Sequence, residues 1–329
     1  MQRRDFLLGT AASAVGIVGW SRTGRAQAQP PAQPQSQGRG QGRGQSPANV
    51  SPEKLRRISI MTLNFGSILK LPWNKSPTAE QTLALLDLPQ MYVDTYGVHN
   101  VEFQHSHLAP SDAALGNIDG DPELFKELKA RLDAAKSTMT QINLEFGPQN
   151  ISNPDAALRQ QAVERVKKWI DHAVMMGCPR VMINQSQNTL NQETKAHAIA
   201  TWKAMSDYGK TKKVMVSAET RGGAAANAAP GTPPPWHLLK EVIEAAGAHS
   251  NVDIGNVGAM NQQELHDCIK GLLSTSSGNM HIKANSPYWD VGAAIKYTNS
   301  TLGYKGLYSI EVSTHPAVRI AYNIILANI

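Results

Sequence analysis

The sequence predicts an α/β protein, a single-domain (β/α)8 barrel of the TIM type spanning residues 51–329. Three observations predict it. Short β-branched apolar runs alternate with amphipathic stretches of helical period, the pattern of parallel strands joined by right-handed crossovers. Eight strand-like runs fit within one domain's length, and such a barrel usually needs about 250 residues. The turn after the first run reads Asn64-Phe65-Gly66-Ser67. That is not the Gly-rich phosphate turn an open doubly wound sheet usually carries at this point.

Two segments precede the barrel. In residues 1–28, Arg3 and Arg4 stand before an apolar run over 6–20, and Ala26-Gln27-Ala28 supplies small residues at signal-peptidase spacing. This predicts a twin-arginine signal peptide, hence the Tat translocation machinery as a partner and a periplasmic or extracellular destination. The run is short for a spanning helix and is interrupted by Gly9, Gly16 and Gly19, so no stable membrane insertion is expected after cleavage. Residues 29–50 are rich in Pro, Gln, Gly and Ser, too poor in apolar surface to offset the entropy of ordering, and are expected to be a disordered linker.

Strands are predicted at 58–63, 101–104, 142–146, 181–184, 214–219, 252–254, 280–283 and 307–312. Helices are predicted at 122–135, 154–176, 236–246, 262–273 and 315–327. The clearest is 154–176. Asn153 is its expected N-cap, Pro154 suits the first helical position, and Gly177 ends it. Leu158, Ala162, Val166, Ile170 and Val174 recur every four residues as one apolar stripe.

Charge and cysteine content exclude some functions. The formal charge is +6, but six of the 32 cations and one of the 26 acids lie before residue 51. The remaining 26 against 25 leave no electrostatic footprint for nucleic acid. Cys178 and Cys268 form no C-x-x-C motif and no disulfide framework, and are read as buried thiols. A homo-oligomer is compatible with the sequence, which selects no oligomeric state.

The chemistry concentrates on the last four strands. Glu219, Asp253, His281 and Glu311 stand near their ends, separated by 34, 28 and 30 residues, about one strand–helix unit per step. Each unit can therefore set one ligand at a similar height around a barrel mouth. An ionised carboxylate in an apolar strand is costly unless paired or metal-bound. Three carboxylates and an imidazole suit a divalent cation such as Mn²⁺, Mg²⁺, Co²⁺ or Zn²⁺.

This order resembles the xylose-isomerase-like TIM-barrel superfamily of sugar isomerases and epimerases. Its members carry a Glu on strand five, an Asp in an Asp-x-Gly context on strand six, a His in a His-x-Lys context on strand seven and a Glu on strand eight. Here these are Glu219, Asp253-Ile254-Gly255, His281-Ile282-Lys283 and Glu311. The resemblance spans residues 57–329 and implies that the four are metal ligands and that Glu219 and Glu311 exchange a proton with substrate. It implies a metal-dependent catalytic domain acting on a small carbohydrate. Two positions depart from the ketose 3-epimerases of the group: Asn256 stands where many have a His, and Pro287 where many have an Arg.

Further candidates surround these residues. Lys283, Asn256, Arg221, Glu145 and His105 are candidate substrate-binding residues, and Trp73 and Trp236 could stack on a sugar ring. Glu102 with His105 and His107 could form a second metal site, Asn184 and Gln185 could meet sugar hydroxyls, and the loop over 222–235 could cover substrate. The expected activity is isomerisation or epimerisation of an unphosphorylated sugar. The alternatives are a metal-dependent lyase or hydrolase acting on an oxidised glycoside, and a non-catalytic carbohydrate-binding barrel.

Overall fold

In the computed structural model, residues 49–110, 120–145, 150–184, 190–221, 234–257 and 261–329 are described. The eight expected strands are β1 (Ile58–Met61), β2 (Asn100–Gln104), β3 (Thr138–Leu144), β4 (Arg180–Asn184), β5 (Met215–Glu219), β6 (His249–Asp253), β7 (Ser276–Ile282) and β8 (Leu307–Ile310). Each pairs in parallel with its neighbours, and β1 pairs with both β2 and β8, so the barrel is closed. A helix follows every strand: α1 (Leu88–Tyr96), α2 (Pro122–Ala134), α3 (Ala156–Met176), α4 (Lys195–Lys212), α5 (Pro235–Ala246), α6 (Gln262–Leu272), α7 (Val291–Lys296) and α8 (His315–Asn328). The β1–α1 connection adds a parallel pair of two-residue strands, Leu69–Lys70 with Leu83–Ala84. The described residues belong to one compact unit, and none of their helices is long and apolar enough to cross a membrane. The expected signal peptide and nearly all of the linker lie outside the described residues.

The two faces of the barrel strands differ in chemistry. Side chains alternate along a strand. Val181, Ile183, Val216, Ala218, Ile282 and Ile310 are buried in the apolar core, with Trp169 of α3 and Trp202 of α4 among its largest buried side chains. Many lumen-facing positions are polar. Gln141 Nε2 of β3 donates to Asn251 Oδ1 of β6 at 3.3 Å, across the barrel, and Asn279 Nδ2 of β7 donates to the same oxygen at 3.1 Å. This explains why β3, β6 and β7 begin three or four residues before the apolar runs that announced them. Their first turns carry Thr138, His249-Ser250-Asn251 and Ser276-Ser277, which read as loop in a sequence.

Helix α3 departs from expectation in two ways. Its N-cap is Asp155, whose carboxylate accepts from the amides of Ala157 and Leu158; Asn153 instead accepts from the Asp155 amide. Val174 is 48% exposed. A step of four residues overshoots a helical turn by about 40°, so a strict four-residue stripe drifts off the buried face. The buried face is completed by Val163, Trp169 and Ala173.

Helices α1, α4 and α7 had no sequence signal strong enough to mark them. The buried face of α4 consists of Ala198, Thr201, Trp202, Met205, Ser206 and Gly209, four of the six small or hydroxylated. Gly209 lets α4 approach β5: a Cβ there would lie 2.5 Å from the Val214 carbonyl oxygen and 2.7 Å from Val216 Cγ2. Both cysteines are free and buried, as expected. We expect Gly209→Ala to destabilise the fold by about 1–3 kcal/mol despite the better helix propensity of Ala, as overpacked cores do; urea unfolding of the variant beside wild type measures this.

Candidate metal centre

Parallel pairing brings the four expected ligands to one end of the barrel. Glu219 and Asp253 are the last residues of β5 and β6, and Asp253 is the ladder partner of His281 on β7. Glu311 follows β8 directly, and its amide donates to the Ile282 carbonyl at 2.9 Å, continuing the ladder. Each residue offers one ligand atom, and these atoms all lie within 4.8 Å of one another. All four residues are buried.

Three carboxylates this close, out of water, need positive charge. His281 Nδ1 lies 2.6 Å from Glu311 Oε2 and 3.1 Å from Glu219 Oε1. Lys283 Nζ lies 2.9 Å from Asp253 Oδ2 and 3.0 Å from Glu311 Oε2, and Arg221 Nε lies 2.8 Å from Glu219 Oε2. Burial, then the charges of Glu311 and Asp253, push the Glu219 carboxyl up to about 7 against the pull of His281. Burial also works against ionised Glu311, but His281 and Lys283 outweigh it and hold that carboxyl well below its ordinary value. Burial likewise opposes charge on His281; Glu102 and Glu311 overcome it and raise its pKa.

Despite these cations, Glu219 Oε2 and Glu311 Oε2 are buried and accept no well-directed hydrogen bond. Buried polar atoms left unsatisfied are rare and call for an explanation. The donor set, two Glu, one Asp and one His, is one a hard-to-borderline divalent cation takes. The residues therefore fit such a cation.

The short motifs around Asp253 and His281 are physically linked. Asp253 Oδ1 accepts from the Gly255 amide at 2.8 Å, and Asn256 Nδ2 donates to Oδ2. A Cβ on Gly255 would lie 2.6 Å from Lys283 Cγ and 2.8 Å from Cε. The glycine thus leaves the space through which the Lys283 stem reaches the carboxylates. Thr220, which had no sequence signal, anchors β6 by accepting from the Asp253 amide at 2.9 Å.

The sequence matches the family described as Xylose isomerase-like TIM barrel over residues 92–290. The chain belongs to this family. Solved structures of similar fold include a xylose isomerase domain protein from Planctomyces limnophilus, 16% identical, covering 83% of this chain and 96% of that one at a TM-score of 0.56. A 3-keto-D-glucoside 4-epimerase from E. coli is 10% identical, with coverage of 83% and 99% and a TM-score of 0.58. A sugar phosphate isomerase/epimerase from Parabacteroides distasonis is 12% identical, with coverage of 83% and 94% and a TM-score of 0.59. At such identities the likeness establishes the barrel alone. No curated protein matches the sequence.

In this xylose-isomerase-like chain, Arg221 is held between Glu219 and Glu145, its Nη2 lying 2.6 Å from Glu145 Oε1. Glu145 also accepts from Gln104 Nε2 at 3.3 Å. Lys283 and Asn256 are committed to Asp253, so both face a ligand carboxylate. His105 does not join the group. It packs edge-on against Trp169, 5.8 Å between centroids, and its Nδ1 accepts from the Glu145 amide at 3.2 Å. Burial pulls its pKa down to about 4, the setting of a neutral core imidazole. His107 Nδ1 pairs with Thr62 Oγ1 at 2.9 Å, while Glu102 points the other way, into the lumen beneath His281. Among the described residues no second cluster forms, which corrects the expectation of a Glu102–His105–His107 metal site. Trp236 packs over Gly271 of α6, where a Cβ would lie 2.4 Å from its ring, as an anchor between helices. Gln185 and residues 222–233 lie outside the described residues.

Two outcomes are expected. Purified protein takes up about one divalent cation per chain by mass spectrometry, and His281→Ala and Glu311→Ala lose it. A cation needs Glu219 ionised and His281 Nδ1 free of its proton, and both pKa values are raised, so uptake releases protons; calorimetric affinity should be roughly tenfold or more tighter at pH 8 than at pH 6. Separately, Gly255→Ala should destabilise wild type but much less the Lys283→Ala background, with a coupling of about 0.5–3 kcal/mol in a double-mutant unfolding cycle.

Proposed function

We propose that this chain is an exported, divalent-metal-dependent isomerase or epimerase of an unphosphorylated sugar or sugar derivative, which moves a proton at the carbon beside a carbonyl. One observation carries the reading. Glu219 and Glu311 reach the same candidate cation-binding group from β5 and β8, with two strands between them around the barrel, and with their carboxyls driven in opposite directions. Carboxyl pairs whose surroundings push their pKa values apart are how one site runs both acid and base chemistry near neutrality.

Glu219, Asp253, His281 through Nδ1, and Glu311 would hold the cation. When bound, the cation supplies a Lewis acid that polarises a carbonyl and makes the neighbouring C–H more acidic. Glu311, ionised, accepts the proton on one side of the substrate carbon. Glu219, able to carry a proton near pH 7, delivers one on the other. Lys283 keeps Asp253 and Glu311 in place, and Arg221 holds Glu219 in place through Oε2. The buried position of the group keeps bulk water from competing for these protons. The twin-arginine-like N-terminus, and a turn after β1 in the sequence that is not a Gly-rich phosphate turn, support an unphosphorylated substrate met in the periplasm or outside the cell.

A second reading is supported by Asn256, which is tied to Asp253, and by Pro287. Many epimerases of the group carry a His and an Arg at these positions. Proton removal beside a carbonyl also drives loss of a leaving group, so a lyase or hydrolase of an oxidised glycoside uses the same pair. A product screen separates the readings: inverted stereochemistry supports the epimerase, a released aglycone supports the lyase or hydrolase, and sugar binding without product supports a non-catalytic barrel. For either enzyme, Glu219→Gln and Glu311→Gln should each lower kcat by about 10²–10⁴-fold, the usual worth of a general acid or base, in steady-state assays of the metal-loaded protein; full activity in both variants would remove the assignment.

A further inference from the structure

Glu102 is a fully buried carboxylate outside the four-residue group, and the proposed chemistry leaves it unused. It sits in the lumen beneath His281. Its Oε1 lies 2.7 Å from His281 Nε2 and accepts from Gln141 Nε2 at 3.0 Å; its Oε2 accepts from Asn279 Nδ2 at 3.0 Å. The two amides are themselves oriented. Both donate to Asn251 Oδ1, at 3.3 and 3.1 Å, so their N–H groups face the lumen and Glu102.

Each Glu102 oxygen already accepts an amide N–H, from Gln141 and from Asn279, so the carboxylate stands as an acceptor on both sides. The ring nitrogen 2.7 Å from Glu102 Oε1 must therefore carry a hydrogen. That leaves Nδ1, which faces Glu219 Oε1 and Glu311 Oε2, as the nitrogen whose lone pair can meet a cation. Histidines that bind metals commonly donate their other N–H to a carboxylate, which sets tautomer and ring angle and makes the ligating nitrogen more basic.

We infer that Glu102 is the positioning residue of the centre: through Nε2 it holds His281 in the form and orientation that offers Nδ1 to a divalent cation. Gln141, Asn251 and Asn279 form the neutral frame that keeps this carboxylate aimed at His281. The inference rests on the metal-dependent reading above and adds a residue that the four-ligand pattern does not contain.

The test uses the mature protein and Co²⁺ as the probe. Co²⁺ affinity is measured by chelator competition for wild type and Glu102→Gln, with thermal unfolding of both metal-free forms. Loss of the carboxylate should weaken Co²⁺ binding about 10–100-fold, the usual effect of removing such a partner, in a variant that still unfolds cooperatively. Wild type loaded with Zn²⁺ and labelled with ¹⁵N-histidine provides a second readout that needs no variant. A long-range ¹H–¹⁵N spectrum should place the His281 proton on Nε2 and the metal-induced shift on Nδ1. Equal Co²⁺ affinity within threefold, or a proton on Nδ1 with metal on Nε2, overturns the role of Glu102 and leaves the metal centre standing. A wild type that takes up neither ion overturns both. Should Glu102→Gln not fold, the wild-type spectrum decides.

Discussion

Four carboxylates, Glu102, Glu219, Asp253 and Glu311, lie in or at the mouth of a closed barrel, away from bulk water. A buried charge costs several kcal/mol unless it is paired and hydrogen-bonded. The organisation of the catalytic end follows from meeting that cost. His281 stands between Glu102 below and Glu219 and Glu311 above; Lys283 spans Asp253 and Glu311; Arg221 reaches Glu219 from the rim. The amides lining the lumen extend the same solution downward. The barrel tolerates so polar an interior because its stability comes from elsewhere, the apolar layer between strands and helices around Trp169 and Trp202.

Membership of the xylose-isomerase-like family gives two short sequence patterns a physical meaning. Asp-x-Gly on β6 and His-x-Lys on β7 work as one device. The glycine clears a path, the lysine fills it, and its ammonium reaches the aspartate two residues before that glycine. Neither half makes sense alone, since a lysine without the gap would be pushed from the carboxylates, and the gap without the lysine would leave Asp253 short of positive charge. The departures from the ketose 3-epimerases lie at the edge of this device. Asn256 stands where many of them have a His and donates to Asp253, while the four residues of the candidate cation site are all present.

The fold was largely legible because a barrel strand advertises its outward face. All eight strands were placed from apolar residues that pack against helices. Their beginnings are hidden in the sequence where polar residues precede the apolar run, as at the exposed Thr138 and at His249-Ser250-Asn251. Helix α4 shows no continuous apolar stripe because only Trp202 and Met205 on its buried face are large and apolar, the rest being small or hydroxylated, and Asp155 rather than Asn153 caps α3 because the two compete within three residues of one turn. His105 was misread for a related reason. Position beside a strand end places a histidine near the mouth, but not on the mouth side of the wall, and it packs instead on Trp169.

By itself, the sequence determined the periodic alternation, the count of eight units and the four residues that meet at the barrel mouth, because spacing of about one strand–helix unit sets height in a parallel barrel and the two-residue alternation sets the face. Only the tertiary structure decided which groups meet across the lumen. Glu102 and His281 are 179 residues apart, and nothing in local pattern links them. The closed sheet brings them together, leaving Nε2 to face the carboxylate below and Nδ1 the cation-binding group above. The contact of Glu102 with His281 depends on barrel closure, since contacts between non-adjacent strands exist only once the first strand has paired with the last, whereas Lys283 meets Asp253 across neighbouring strands and His105 is held by the packing of Trp169.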